Sequence, residues 1–399
     1  MLRLSRATCI LCCATLLLLW AGRAQADTWD LQLGRLCQIY VESGGPLDCG
    51  GGYDPAKHGA IKKVQPDNPA FRSLMSELGA VFAPNILSPS DTQGYGGFSF
   101  NVEFGWTMIN PKNNSADFKH VDPRGGPDLD TPGHRYWRAA GSVSEKAFAK
   151  GNIRDMQQYS SEIERLDREL PPSFAPTVSV MARKGLWFPF PSFEFGLGVR
   201  HLIGSKMWMP QAQVKLALHE GFQGFPIPAI AIRASGGRVM GTPDFNLNIV
   251  GLDGSISKHF GVASSFNLTP YLGYQFLWFI ADAEVMDATP GVDPIYELTK
   301  PGAVYEGKGK DLLQCRHPDC NGNFSFDDQS NITRHRIFVG MKANFYIATL
   351  MLEYTYFFEG TTTDELRRYS STLNAVIGDT VEDSAGGQHT INISLGFDY

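Results

Sequence analysis

After residue 26 the chain contains no run of 18 apolar residues, yet it alternates greasy and polar side chains with period two over most of its length. No helix can cross a bilayer on shorter runs, and the best stretch, 337–352, is broken by Lys342 and Asn344. Alternation is a strand signal, because successive side chains of a strand point to opposite faces. In Phe98–Met108, Phe98, Phe100, Val102, Phe104, Trp106 and Met108 share one face. Ser99, Asn101, Glu103, Gly105 and Thr107 share the other. Stretch 192–203 repeats the design, with Phe193, Phe195, Leu197 and Val199 opposite Glu194, Gly196, Gly198 and Arg200. So do 266–280 and the last ten residues, where Ile391, Ile393, Leu395, Phe397 and Tyr399 share a face.

Weaker versions lie at 177–184, 206–220, 227–239, 244–258, 333–346 and 347–359, which makes ten predicted strands. In 244–258 the apolar phase set by Phe245, Leu247 and Ile249 changes near Val250 and Gly251, which predicts a β-bulge. Ordinary strands average about 5–6 residues, whereas a tilted strand that crosses a bilayer needs about 9–11. The stretches here are of the longer kind. Connection lengths give a separate test. The three long connections, 109–176, 283–332 and 360–387, are the first, seventh and ninth, all odd, and the even ones are short. An up-and-down barrel with short turns at one rim and long loops at the other has this parity.

The first 26 residues read as a signal peptide. Arg3 and Arg6 precede a short apolar core, and Ala24-Gln25-Ala26 forms a small-residue cleavage site before Asp27. The formal charge of −6 has no basic bias, so nucleic acid is excluded as a partner. Four cysteines follow the leader, in two sequence-local pairs: Cys37 with Cys49 and Cys315 with Cys320. In an exported chain an even set reads as disulfides that staple loops. Neither pair has zinc-site spacing, and no metal or cofactor is expected.

These features together resemble bacterial outer-membrane β-barrel proteins. The resemblance covers about 98–399 and the closing segment Ile391-Asn392-Ile393-Ser394-Leu395-Gly396-Phe397-Asp398-Tyr399. It implies outer-membrane lipid as the surrounding solvent and a final strand that the barrel-assembly machinery recognises. This chain ends in Tyr399 where Phe or Trp is more usual, and Phe397 keeps the register.

The expected fold is thus an all-β, up-and-down antiparallel transmembrane β-barrel of about ten strands (range 8–14). Residues 1–26 are the signal peptide, 27–95 a small periplasmic or plug region, and 96–399 the barrel. The plug region carries a helix at about 69–78, with Asn68 as N-cap, Pro69 in the first turn and Gly79 just past its end. Asn68-Pro69-Ala70 also looks like the Asn-Pro-Ala of long-chain fatty-acid transporter plugs. A second helical pattern lies at 153–170, inside the first long loop.

The lumen face collects Glu103, Glu194, Arg200, Lys215, Arg233, Arg336, Lys342, Glu353 and Asp398, either as a structural ion-pair network or as the lining of a pore. Trp106, Trp208, Trp278, Tyr354 and Tyr399 are the expected membrane girdle. The segment 319–328 spaces oxygen ligands as a calcium loop would, but Phe324 occupies the position that needs Gly. His219-Glu220 is the one suggestive acid–base pair, and adjacent strand residues point apart, so no enzyme is expected. The expected function is a passive channel or small-solute transporter. The alternative is a non-conducting structural barrel whose exterior loops bind a partner, with a barrel enzyme behind both.

Overall fold

The computed structural model describes residues 29–43, 47–49, 58–59, 61–109, 136–140, 142–143, 168–169, 171–187, 192–220, 227–263, 266–287, 323–370 and 375–399. The signal peptide, residues 153–167 of the pattern at 153–170, Cys315, Cys320 and the start of 319–328 lie outside these residues; at the far end of that pattern Arg168–Glu169 is a short strand paired with Ser142–Val143, not helix.

Three short strands come first: β1 (Cys37–Val41), β2 (Leu47–Asp48) and β3 (Ile61–Pro66), paired in the order β2-β1-β3. A disulfide joins Cys37 to Cys49 across this small sheet. Helix α1 (Asn68–Phe82) follows. Then come the long strands β4 (Phe98–Met108), β5 (Phe174–Trp187), β6 (Ser192–Leu202), β7 (Trp208–His219) and β8 (Ala229–Val239). The rest are β9 (Phe245–Ser257), β10 (Phe266–Ala283), β11 (Gln329–Phe345), β12 (Ala348–Phe357) and β13 (Gln388–Asp398).

Each of these ten strands pairs antiparallel with its sequence neighbours, and β13 pairs back with β4. The sheet is a closed ten-stranded barrel with no free edge. The ten predicted stretches are its ten strands. Phe98 and Tyr399 exchange backbone hydrogen bonds, 2.7 Å each way, and close the seam. The three long connections all leave from one rim. The other rim carries the short turns, the start of β4 and the end of β13.

The greasy stripes face outward. Phe276 is 37% and Leu395 54% exposed, so no second protein layer covers them. Hydrocarbon is the solvent that makes such a surface stable. The lumen has two storeys. Near the long-loop rim its wall is apolar, with Phe245, Leu247, Ile249, Leu277, Phe279, Ile332 and Phe357 buried together with Phe71, Leu74, Leu78 and Phe82 of α1. Nearer the short-turn rim the wall is polar and charged.

Two expectations are corrected by this arrangement. The bulge near Val250 does not exist, since β9 keeps an unbroken register with both neighbours. Phe245, Leu247 and Ile249 point inward, against α1, and Val250, Leu252 and Ile256 point out to lipid. The change of phase marks the height at which the inner wall turns from apolar to polar. Helix α1, in turn, runs past Gly79 to Phe82, and its N-cap is Asp67, whose carboxylate accepts from the Ala70 N–H at 3.1 Å. Gly79 is needed for contact, because a Cβ there would lie 2.6 Å from the Phe279 ring.

Candidate functional site

The chain threads its own barrel. The small sheet lies at the long-loop mouth, where Trp29 N–H bonds to Gly204 O at 3.0 Å and Gln32 N–H to Ala139 O at 2.7 Å. From there α1 descends into the apolar storey, and residues 83–93 continue as an irregular segment through the polar storey. Gly94 and Gly96, both at positive φ, turn the chain into β4 at the short-turn rim. The described residues of 29–95 therefore split between a cap over the long-loop mouth and a plug. The described part of that region does not hang below the short-turn rim, where a periplasmic extension would be.

α1 is buried on every side, which no one-faced amphipathic pattern announces. Its polar residues hold the residues of the long-loop rim. Arg72 donates to Gln329 Oε1 (2.9 Å), Asn331 O (2.7 Å) and Thr362 Oγ1 (2.8 Å). Burial lowers the pKa of its guanidinium against the nearby acids Asp383 and Asp364. Ser73 meets Ser384 at 3.0 Å, and Ser76 donates to Asp383 at 2.7 Å. Glu77 accepts from the Tyr136 hydroxyl (2.7 Å) and Trp137 Nε1 (2.6 Å) of the first long loop. Burial raises the Glu77 pKa, against those two donors and the charge of Arg334. Asn68 exchanges two bonds with Asp327, at 2.7 and 3.1 Å, so that carboxylate of the supposed calcium loop faces an amide. Among the described residues no group of three or more His, Cys, Asp or Glu could hold a metal ion.

The wall charges clamp the irregular segment by its backbone. Arg200 donates to Val81 O at 3.1 Å and to Ala83 O, Arg336 to Pro84 O, and Arg233 to Ile86 O at 2.9 Å. Glu353 accepts from Leu87 N–H at 2.8 Å and from the Tyr271 hydroxyl at 3.0 Å. Leu87 sits at φ +31°, a backbone region that branched side chains avoid, and that bond helps hold it there. Lys215 reaches Ser88 Oγ, Pro89 O and Asp91 O while pairing with Glu194 at 3.2 Å. Glu103 pairs with Arg183 at 3.0 Å, and Arg233 with Asp253 at 3.0 Å. Glu103, Glu194, Arg200, Lys215, Arg233, Arg336, Lys342 and Glu353 all point inward and are 0–6% exposed. Asp398 meets Lys342 at 2.6 Å beside the short-turn rim.

Sequence reasoning missed Arg183, Asp253 and Tyr271, and it set Arg334 on the polar face of 333–346 without counting it among the lumen charges; all four are inward by strict parity. The weak reading of 177–184 hid the first, and the supposed bulge hid the second. Arg72 and Glu77 had no signal beyond a polar helix face, which normally means solvent. Of the girdle residues, Trp106, Trp208, Trp278 and Tyr354 face outward in the half toward the long loops, and Tyr399 marks the other rim.

A hydroxyl, an imidazole and a carboxylate line up at the short-turn rim. Thr269 Oγ1 is 2.7 Å from His259 Nδ1, and His259 Nε2 is 3.2 Å from Asp91. Thr269 is only 1% exposed, so no substrate can approach its hydroxyl. The group ties the plug's exit to the wall, helped by Glu220, which accepts from the Thr92 hydroxyl at 2.7 Å. Burial works against the charged Asp91, but the His259 hydrogen bond and charge win and hold its pKa below the ordinary range. The same bond raises the pKa of His259.

No protein family matches the chain, and no curated protein does. Among solved structures it is similar to OmpT, an outer membrane protein of Vibrio cholerae, at 12% identity over 57% of this chain and 60% of that one, with a TM-score of 0.23. It is also similar to Ail, the attachment invasion locus protein of Yersinia pestis (9% identity, 76% and 99% covered, TM-score 0.21). A third is the transport unit of the autotransporter AIDA-I from Escherichia coli (8% identity, 83% and 98% covered, TM-score 0.29). The chain spans about 60% of the length of the Vibrio protein it matches. It resembles outer-membrane β-barrel proteins, but scores this low carry nothing about function. The fold rests on the closed ring of pairings and its lipid-facing surface.

Proposed function

We propose that the protein is a self-plugged, non-conducting barrel of the bacterial outer membrane whose working surface is the exterior crown of loops and small sheet. The observation that supports this is the near-complete burial of the inward charges. A water-filled pore would leave such side chains wet. Here they pair with one another or grip the backbone of 81–91 instead, with single atoms such as Arg200 Nε and Arg336 Nε left without a hydrogen bond. The geometry favours this reading over a passive channel.

A second feature agrees. Loops one, seven and nine all meet on α1, through Tyr136 and Trp137, through Asp327, and through Thr362, Asp383 and Ser384. A permeation path gains nothing from loops tied across its mouth, whereas a binding surface gains a fixed shape. The test is single-channel recording in planar bilayers with folded, heat-modifiable protein. No openings are expected. Sustained ohmic conductance at low voltage would overturn the proposal and return the channel reading.

A further inference from the structure

Two histidines on the lipid-facing surface are built the same way, in successive hairpins. His335 on β11 lies directly across from Phe276 on β10, and His389 on β13 directly across from Tyr356 on β12. In each case the tyrosine two residues nearer the short-turn rim on the facing strand bonds to Nδ1. The Tyr274 hydroxyl meets Nδ1 of His335, and the Tyr354 hydroxyl meets Nδ1 of His389 at 2.7 Å. The ring geometries repeat as well: centroids 5.8 Å and 32° for Tyr274–His335, against 6.0 Å and 31° for Tyr354–His389. The rings directly across lie 5.2 Å away (Phe276) and 5.0 Å away (Tyr356). Beyond these residues the hairpins share only an outward Ile two positions after each histidine, Ile337 and Ile391.

The height of the pair identifies what they meet. His335 is ten residues from the short-turn end of β11, and His389 nine from that of β13. At about 3.4 Å per residue and a tilt near 40°, both stand about 23–26 Å above that rim. The apolar band of such a barrel is about 25 Å tall, so both imidazoles lie at the level of the exterior headgroups. They flank β12, two strand spacings apart and staggered by two residues along it, so about 12 Å from each other. A phenol that donates to Nδ1 leaves the ring proton on Nε2. Among the described residues neither Nε2 has a partner, and no Asp or Glu on a strand faces outward at this height.

We propose that the two Tyr–His pairs form one lipid site that takes the phosphate-bearing headgroup of an exterior-leaflet lipid. The Nε2–H groups are its donors, and Phe276 and Tyr356 are the rings on which the headgroup's body rests. Hydrogen bonds to an anion are the strong ones, and aromatic faces at this level already favour the interface.

The test uses the full chain in phosphatidylcholine nanodiscs doped with a bis-phosphorylated glucosamine lipid or with the same lipid after phosphatase treatment. The lipid that co-purifies is counted by mass spectrometry. Wild type is expected to retain the phosphorylated form about tenfold better. The double variant H335F/H389F, still heat-modifiable, is expected to lose that preference. Equal retention by wild type overturns the proposal, and so does a preference the double variant keeps. Full displacement by inorganic phosphate also overturns it, assigning the site to the free anion. Should the double variant fail to fold, the imidazole 15N signals of wild type decide. Shifts at two rings on adding the phosphorylated lipid are expected, and none overturns the site. Both nanodisc leaflets have one composition, so failure here is separate from any failure of the plugged-barrel reading, which conductance tests.

Discussion

Removing the Glu353 carboxylate tests whether the plug is held where the wall charges say it is. Glu353→Ala strips the acceptor from Leu87 N–H (2.8 Å), the Tyr271 hydroxyl (3.0 Å) and Asn392 Nδ2 (3.3 Å), all in the closed lumen. It also leaves Arg336 and Arg233 without the acidic charge that acts on them. Removing one side of a buried, hydrogen-bonded charge cluster costs about 3–5 kcal/mol. Leu87 loses the bond that opposes its backbone strain, so the penalty falls on the seated segment. At 1.4 kcal/mol per tenfold, plug-displaced barrels should become about a hundred to several thousand times more frequent. Planar-bilayer recording reads this as openings absent in wild type, and heating reads it as a lower unfolding midpoint. Glu353→Gln keeps one carbonyl oxygen for Leu87 N–H and should fall between the two. The reasoning is refuted if Glu353→Ala stays silent and melts with wild type.

Three other outcomes are expected. Gly79→Val drives side-chain atoms into the Phe279 ring, 2.6 Å from even a Cβ, and should cost about 1–3 kcal/mol in the unfolding midpoint; the pair Gly79→Val/Phe279→Leu should recover much of it. The raised pKa of His259 means its tie to Asp91 contributes fully below its ordinary pKa near 6.5 and fades as pH rises through the raised value, so protection of 88–93 from hydrogen exchange should weaken on that side and lose this pH dependence in His259→Asn. A cysteine placed at Lys62, on the cap, should react with an impermeant maleimide on intact cells, whereas one at Tyr346, on the short-turn rim, should react only after the membrane is opened; the reverse pattern would turn the molecule upside down.

The lipid-facing half of the fold was legible because one solvent imposes one rule. Every outward position had to be apolar, so Phe276, Ile337, Leu352 and Leu395 announced their strands without help. The inward half obeys whatever fills it, and the filling came from elsewhere in the chain. Phe245, Leu247 and Ile249 looked like an outer stripe because nothing local says that a helix 163 or more residues earlier would pack against them. Gly79 looked like a helix end because glycine usually is one; its partner Phe279 lies 200 positions away. The lumen charges could be placed by parity, but not their occupation. Whether Arg200 and Arg233 line water or grip carbonyls depends on residues 81–86, which read simply as a loop after a helix.

The route of the chain has a consequence for how the molecule can be made. By its strand count the ring is about 20 Å across, backbone to backbone, and its inner side chains narrow the bore to about half that. A three-stranded sheet stapled between Cys37 and Cys49 is wider than this, so it cannot be pulled through a finished cylinder. The final arrangement thus needs an order of events: either the wall zips shut at β4 and β13 around a chain already lying inside it, or the sheet pairs and its disulfide forms only after those strands have passed the bore.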